Sequence, residues 1–163
     1  MLSRLECRFK FSVDPPRFDG TLLQSGMGCD VWRVAIASML LCRTRRVQAE
    51  PVLRELLLRW PDAPSLCRAE TYALEAIVRP CGLQRNRARQ LSRFSCSYLG
   101  DSWGYFHELP GVGVYVTDAV AVFCFNSREV RSGDHALAAY VETRMLDQQA
   151  EGPRPVGVYD GGS

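Results

Sequence analysis

The sequence predicts a single all-α domain, and three observations lead to this prediction. Apolar residues recur at helical spacing over long segments, whereas the alternation typical of strands is nowhere convincing. The hydrophobic content of 47% in 163 residues allows one sizeable core, and the charged fraction of 23% is typical of a folded chain. Glycine and proline residues separate these helical segments from one another. We expect an irregular N-terminal segment at 1–21, the domain at 22–150 and a flexible tail at 151–163.

The first two helices are predicted from the stretch that follows the irregular segment. "DVWRVAIASMLLCR" is apolar almost all round, so it should form a central, buried helix with Asp30 near its start. "RVQAEPVLRELLLRW" predicts a second helix, in which Pro51 either causes a kink or marks the first turn. The following "PDAPS" is expected to break the chain.

Two further helices are predicted in the middle of the chain. "AETYALEAIVRPCG" predicts a third helix that ends at Pro80 and Gly82. "LQRNRARQLSRFSCSYLG" predicts a fourth helix with apolar residues on or near one face, and Gly100 is expected to stop it.

The last part of the domain contains two more helices and a tight turn. "FHELPGVGVYVTDAVAVFCF" predicts a short helix, a Gly-x-Gly turn and a longer helix. "DHALAAYVETRMLDQ" predicts a final helix that is opened by Asp134.

Cysteine and histidine usage argues against several classes of site. The seven cysteines are odd in number and form no CxxC pair, so a reduced chain is expected rather than a disulfide scaffold. The chain has only two histidines, so no zinc site is expected. No cysteine follows Cys124, so no iron–sulfur cluster is expected. No apolar run reaches the length of a membrane span, and no membrane partner is expected.

Arginine dominates the basic residues. The net charge is only +2, but 19 of the 20 basic side chains are arginine and the remaining one is Lys10. The arginines cluster at positions 43, 45 and 46 and again at 79, 85, 87, 89 and 93. Two interpretations stay open: solvated helix faces, or a surface for phosphate groups, which the guanidinium fork suits.

The turn "LPGVG" at 109–113 and the later Asp134 each have a structural and a functional interpretation. Gly111 and Gly113 either form an ordinary helix–turn–helix corner, or let backbone N–H groups at a helix start bind a phosphate. Asp134 is expected to be the N-cap of the last helix. An N-cap carboxylate is also held ionised and rigidly aimed, as a catalytic group should be.

A Gly-x-Gly turn with an aspartate 21 residues later resembles the signature of the helix-hairpin-helix DNA glycosylase superfamily. Within it, the chain is most similar to the branch represented by the glycosylase domain of methyl-CpG-binding mismatch thymine/uracil glycosylases. The resemblance runs from about Leu22 to Met145. Its anchors are, in order, "LLQ", "DVW", "LLCRT", "PVLRELLLRWP", "CGL", "RARQLSRFSCSYL", "LPGVGVY", "AVFCFN" and "GDHALAAY". It implies an active-site cleft between two helical lobes.

The resemblance also implies roles for individual residues. Asp134 matches the catalytic aspartate, Tyr115 a tyrosine beside the flipped base, and Gln24 a glutamine that hydrogen-bonds the pyrimidine. Arg43 matches the arginine that enters the vacated space in the duplex, with Leu41 as an apolar wedge. The expected contacts to the DNA backbone come from Gly111, Gly113, Arg87 and Arg89. No cofactor is expected beyond a monovalent cation at the hairpin.

The activity implied is that of a monomeric, monofunctional glycosylase that removes thymine or uracil opposite guanine from double-stranded DNA. Because the chain has no lysine after Lys10, we expect no associated strand cleavage through a Schiff base. The resemblance implies a nuclear protein, or a nucleoid one if the source is bacterial. Two alternatives stay open: a non-catalytic helix-hairpin-helix DNA-binding module, and a glycosylase for another damaged base.

The chain departs from the family pattern in three places near the site, and one of them is "SGMGC" directly after Gln24. Val114 stands where the family usually has a basic residue, which weakens one phosphate contact. The segment between "FCFN" and Asp134 is one residue shorter than in the family, so we expect a different approach to the catalytic aspartate.

Overall fold

The computed structural model describes residues 1–8 and 22–150, and all of the regular secondary structure in that part is helical. This confirms the predicted all-α class. The α-helices are α1 (Arg4–Arg8), α2 (Val31–Leu41), α3 (Arg46–Arg59), α4 (Ala63–Cys67), α5 (Thr71–Val78), α6 (Gln84–Leu99), α7 (Val114–Phe125) and α8 (His135–Ala150). Three short 3-10 helices cover Leu23–Met27, Arg79–Cys81 and Phe106–Glu108. None of the described helices combines the length and the apolar character needed to cross a bilayer.

Helix α2 is the centre of the core, as its nearly continuous apolar sequence predicted. Val34, Ala35 and Ile36 are completely buried, which means that neighbours cover successive faces of the helix. Asp30 is its N-cap, because Oδ1 accepts a hydrogen bond from the Arg33 backbone N–H at 3.0 Å. α2 packs against α3, α6 and α7 and thereby joins the two halves of the molecule.

The remaining helices form two groups on either side of α2. Helices α3, α4, α5 and α6 pack on one another, with α6 resting on both α4 and α5. On the other side, α7 packs on α2 and on the 3-10 helix Leu23–Met27. α8 joins this second group through Tyr140, whose ring lies 4.9 Å from that of Phe123. The arrangement matches the predicted pair of helical lobes.

The N-terminal residues are more ordered than the sequence predicted. Arg4–Arg8 forms a short helix, and the Arg4 backbone N–H donates to the Gly104 carbonyl at 2.8 Å. The Phe106 N–H donates to the Leu2 carbonyl at 2.9 Å. The prediction of an irregular segment is therefore wrong for these residues, because backbone pairing with the 102–106 region holds them. The rest of the segment, including Lys10, and the predicted tail lie outside the described residues.

Two local predictions in the middle of the chain also need correction. The "PDAPS" stretch does interrupt the helix before it, as expected, but it also starts a new one, because Asp62 and Ser65 form a reciprocal capping box at the beginning of α4. Pro51 lies inside α3, beyond its first turn, and the helix continues to Arg59. Proline at such a position removes one backbone hydrogen bond without ending the helix.

One pair of cysteines is bonded, contrary to the expectation of a fully reduced chain. Cys67, the last residue of α4, forms a disulfide with Cys96 near the end of α6. The sequence spacing of 29 residues gave no signal for this pair, because the packing of α4 on α6 brings the two together. The other five cysteines are free thiols.

Candidate active site

The turn at 109–113 carries the chain from the 3-10 helix Phe106–Glu108 into α7, and it requires glycine at its centre. Gly111 has φ of +78°, and a Cβ there would lie 2.7 Å from Met39 Cε. The left-handed backbone conformation favours glycine here, whereas the contact with the flexible end of the Met39 side chain could be relieved by a shift of that side chain. Gly113 is the N-cap of α7 and faces open space, with no atom within 4 Å of a Cβ position. The exposed Val114 follows it.

Tyr115 lies on the first turn of α7 and faces inward. Its hydroxyl oxygen accepts a hydrogen bond of 2.9 Å from Nε2 of Gln24. Burial raises the pKa of Tyr115 to about 12; the bond from Gln24 opposes this rise, and the negative charges of Asp134 and Cys42 add to it. The phenol is therefore neutral over the physiological pH range and acts as a hydrogen-bonding group rather than as a base.

Gln24 lies on the 3-10 helix Leu23–Met27 and is only 2% exposed. Besides the bond to Tyr115, its Nε2 donates to Ser38 Oγ at 3.4 Å, and this hydroxyl in turn donates to the Val34 carbonyl at 2.8 Å. Oε1 of Gln24 is buried and finds no hydrogen-bond partner among the described residues. Leaving a buried acceptor unpaired is unfavourable by about 1–3 kcal/mol, so this atom marks a place where a ligand donor would be favoured.

Asp134 is the N-cap of α8, as predicted. Its Oδ1 accepts a hydrogen bond of 2.8 Å from the Leu137 backbone N–H, and its carbonyl accepts from Ala138 N–H at 3.0 Å. The side chain is half-buried, so it is held by the protein while remaining accessible.

These side chains border one cavity of about 220 Å³. Its lining combines residues from the second lobe with the end of α2 and the start of α3: Leu22, Leu23, Gln24, Leu41, Thr44, Arg46, Tyr115, Asp134, Ala136 and Leu137. Tyr115, two residues beyond Gly113, thus shares a cavity with Asp134. The structure thereby joins the turn and the aspartate, which the sequence shows only as two separate motifs.

The segment after α2 places the predicted wedge residues beside this cavity. Leu41, the last residue of α2, is half-buried and lines the cavity. Arg43 is exposed and has φ of +59°, a conformation that is uncommon for a residue with a side chain. A hydrogen bond of 3.0 Å from Thr44 N–H to the Leu41 carbonyl closes the turn. Arg43 thus stands on a strained backbone between Leu41 and Thr44, which both line the cavity.

The folded chain is similar to a solved structure of a thermostable thymine-DNA glycosylase. The TM-score is 0.57 at 20% sequence identity, over 71% of this chain and 54% of the other. This likeness establishes the fold. No family model matches the sequence.

Relatives found by sequence agree with the fold. A methyl-CpG-binding domain protein 4-like protein of Arabidopsis thaliana is 37% identical over 127 residues, which are 77% of this chain and 28% of that protein. The chain belongs to the superfamily of helical DNA glycosylases. A thymine-DNA glycosylase of Aeropyrum pernix is 31% identical over 61% of this chain and 48% of its own length. A thymine/uracil-DNA glycosylase of Pyrobaculum aerophilum is 32% identical over 56% of this chain and 43% of its own length. The chain thus spans less than half the length of these relatives.

For a helical DNA glycosylase, the two arginines expected to contact DNA have very different surroundings. Arg89 is exposed on α6. Arg87 is only 8% exposed, and its guanidinium is engaged by the protein itself. It donates hydrogen bonds of 2.8–3.3 Å to the carbonyls of Met39, Leu40, Cys42, Cys81 and Gly82 and to the Thr44 hydroxyl. In place of the predicted phosphate contact, we propose that Arg87 supports the end of α2 and the segment 41–44.

One buried charged residue near this candidate site was missed in the sequence. Asp118 lies in the apolar run of α7 and is 5% exposed, and its Oδ2 accepts hydrogen bonds of 2.7 Å from the backbone N–H groups of Arg131 and Ser132. An aspartate inside "VYVTDAVAVF" is a recognisable signal, because carboxylates are almost never buried without a partner. Across the described part of the chain, no group of three or more His, Cys, Asp or Glu is arranged to hold a metal ion.

Proposed function

We propose that this chain is a monofunctional DNA glycosylase that flips thymine or uracil out of a mismatch with guanine and removes it by hydrolysis. The observation that supports this most strongly is the shared cavity of Gln24, Tyr115 and Asp134, together with the buried and unpartnered Oε1 of Gln24. A carboxylate, a neutral phenol and an unpaired amide acceptor around a space of this size suit a single-ring base and its sugar carbon.

The pyrimidine would be recognised chiefly by Gln24. Thymine and uracil carry an N3–H donor and two carbonyl acceptors, so the N–H satisfies Oε1 when the base enters the cavity. If the amide group is turned by 180°, its NH₂ becomes the unpaired end and a base carbonyl satisfies it instead. Tyr115 fixes the amide through its 2.9 Å hydrogen bond, which limits the orientations in which a base can bind.

Asp134 would carry the chemical step. Cleavage of the bond between the sugar C1′ and the base nitrogen leaves positive charge on the sugar and takes the bonding electrons to the base. The Asp134 carboxylate stabilises that charge and orients or deprotonates the water whose oxygen bonds to C1′. The proton released by the water ends on the departing base, through Asp134 or solvent. An aspartate fixed by its own helix cap needs little rearrangement to do this.

Base flipping and phosphate binding would be carried out by the rim of the site. Arg43 and Leu41 would fill the space left in the duplex, where a mismatched pair is the least costly to open. The N-terminus of α7 at Gly113, which is open to solvent, suits a DNA phosphate. A monovalent cation beside the same turn remains part of the proposal. The exposed Arg89 is a candidate for a further phosphate contact.

The proposed reaction ends at the abasic site. Strand cleavage by glycosylases requires an amine that attacks the sugar, and the position after the hairpin, where the resemblance places such a lysine, is occupied here by Tyr115. Borohydride reduction during turnover should therefore trap no covalent protein–DNA adduct. An adduct on Lys10 or on the N-terminus would show that the enzyme is bifunctional.

The decisive experiment uses labelled duplexes that contain a single G·T, G·U, A·U or G·C pair, incubated with the protein and then cleaved with alkali. We expect cleavage at T and U opposite G and none at G·C. Cleavage only at duplexes that carry oxidised or alkylated pyrimidines would establish a different base specificity. Binding to all duplexes without cleavage would establish a DNA-binding module instead.

The remaining features of the proposal follow from the substrate. Action on chromosomal DNA implies the nucleus, or the nucleoid of a bacterium. The residues that border the cavity come from one chain, so we propose that a monomer is active. Sedimentation of the protein bound to a short duplex should give a mass of one chain and one duplex.

A further inference from the structure

We propose that Asp118 is a positioning residue that fixes the backbone leading to Asp134 and thereby sets the aim of the catalytic carboxylate. This inference rests on the proposed function of Asp134. It concerns a residue that cannot touch DNA, because Asp118 is 5% exposed within the packed face of α7. Any effect on the reaction must therefore pass through other parts of the protein.

The contacts of Asp118 lie directly before the catalytic residue. Its Oδ2 accepts both the Arg131 and the Ser132 backbone N–H at 2.7 Å, and the short distances are typical of charge-assisted hydrogen bonds. Only Gly133, with φ of +67°, separates this anchored pair from Asp134. A displacement of residues 131–132 would thus reach Asp134 with a single residue to absorb it.

Helix α7 also carries the other side of the cavity. Tyr115 and Asp118 are three residues apart, which is about one helical turn. Tyr115 faces the cavity, whereas Asp118 holds the segment that leads into α8. The same rigid element therefore determines both the position of the residue beside the base and that of the catalytic acid. The Asp118 carboxylate and the two backbone amides fix the distance between them at the N-terminal end of α8, and the contact of Tyr140 with Phe123 holds the same helix further along.

The connection between α7 and α8 covers residues 126–134. Helix α7 ends at Phe125, its C-cap Asn126 adopts a left-handed conformation, and the Ser127 N–H donates to the Ala121 carbonyl at 2.9 Å. The segment then crosses the surface, where Glu129 and Arg131 form an exposed ion pair of 2.6 Å. Just before Asp134, the hydrogen bonds from the backbone of Arg131 and Ser132 to Asp118 attach this surface segment to the buried face of α7.

The test compares Asp118→Ala, Asp118→Asn and the control Ser95→Ala. Ser95 is also fully buried and accepts a hydrogen bond from Trp32 Nε1 at 3.0 Å, so its loss destabilises the core without touching residues 131–134. Rates are measured in single turnover with saturating protein on a G·U duplex, below the unfolding temperature of every variant. Affinity is measured separately on a duplex that contains an abasic site.

We expect Asp118→Ala to slow the single-turnover rate by about 10–100-fold, which is the scale expected for a misplacement of about 1 Å at a reacting group. Affinity for the abasic duplex should change by less than about twofold, because the DNA-contacting rim is intact. Asp118→Asn keeps an acceptor oxygen and should recover part of the rate. Amide exchange at Arg131 and Ser132 should accelerate in the alanine variant. If the alanine variant does not fold, the asparagine variant carries the same comparison.

Three outcomes would contradict the inference. A normal rate in folded Asp118→Ala would show that the anchor is irrelevant to the reaction. An equal loss of rate in Ser95→Ala would show that general destabilisation is the cause. A loss of affinity that matches the loss of rate would show a defect in DNA binding. If the unaltered protein cleaves none of the duplexes, the proposed function fails with this inference; if it is active while Asp118→Ala equals it, only the role of Asp118 fails.

Discussion

Gln24 and Tyr115 are 91 residues apart in the chain, yet the Gln24 amide donates a 2.9 Å hydrogen bond to the Tyr115 hydroxyl. The bond joins the 3-10 helix Leu23–Met27 to the first turn of α7, and both residues border the cavity that contains Asp134. It leaves the other end of the amide unpaired in a buried position. This pair forms the part of the cavity wall that would hydrogen-bond a base.

Replacing Asp134 with asparagine should separate chemistry from folding. Asparagine caps helices as well as aspartate does, so the cap on α8 and the stability of the protein should persist. Loss of the charge should slow base removal by about 100–1,000-fold, by comparison with other groups that stabilise developing charge. Single-turnover alkali cleavage on G·T and G·U duplexes measures the rate, and a binding assay on the same duplexes is the control. An unchanged rate would remove Asp134 from the mechanism.

The hydroxyl of Tyr115 should make the free energy of unfolding fall as the pH becomes strongly alkaline. Because its folded pKa of about 12 lies above the ordinary value of 10, the contribution is complete below pH 10 and is lost as the pH rises towards 12. Tyr115→Phe should lack this component, so the difference in free energy of unfolding between the two proteins should shrink over that range. Burial raises the pKa of Cys7 to about 12 as well, but Cys7 is common to both proteins. A constant difference would contradict the buried, neutral phenol.

Arg43→Asn should impair base flipping while leaving the backbone intact. Asparagine tolerates the left-handed conformation observed at φ of +59°, which alanine does not, so the variant removes the guanidinium with little added strain. We expect weaker binding to an abasic duplex and a smaller signal from a fluorescent base analogue placed next to the mismatch. Arg59→Asn, at the exposed end of α3, removes the same charge away from the cavity and should behave like the unaltered protein.

Arg87 and Arg89 on α6 offer a matched pair. Arg87→Met should lower the free energy of unfolding by about 3 kcal/mol, because several buried carbonyls lose their donor. Arg89→Met should change stability by less than about 0.5 kcal/mol but weaken DNA binding, with the salt dependence of log Kd reduced by about one unit of slope. Urea unfolding and binding at several salt concentrations test both. The reverse pattern would assign the phosphate contact to Arg87.

The disulfide between Cys67 and Cys96 should contribute to stability. Closing a loop of 29 residues is expected to stabilise the folded state by about 3–4 kcal/mol through the entropy of the unfolded chain. The double variant Cys67→Ser with Cys96→Ser should unfold at correspondingly lower urea, and a reducing agent should affect only the parent protein. Thiol titration of the unreduced, unfolded protein should detect five free thiols. Detection of seven would show that the bond is absent.

The helices and their caps were predictable because their signals are local. The apolar run of α2, the cap at Asp30 and the cap at Asp134 are each encoded within a few residues. The short capping box at Asp62 was readable in the same way but was obscured by two prolines. The docking of Arg4–Arg8 was not readable, because its backbone bonds reach residues about a hundred positions away.

By itself, the sequence determined the all-α class, the order of the longer helices, the glycine turn and the capped aspartate, since backbone sterics and hydrophobic periodicity act over one or two turns. The tertiary structure decided which polar residues serve the site. Packing of distant helices turned Arg87 inward, paired Cys67 with Cys96, and brought Asp118 to the segment before Asp134. Whether a charged side chain faces solvent or the interior depends on the surfaces that meet it, and residues far apart in sequence supply those surfaces.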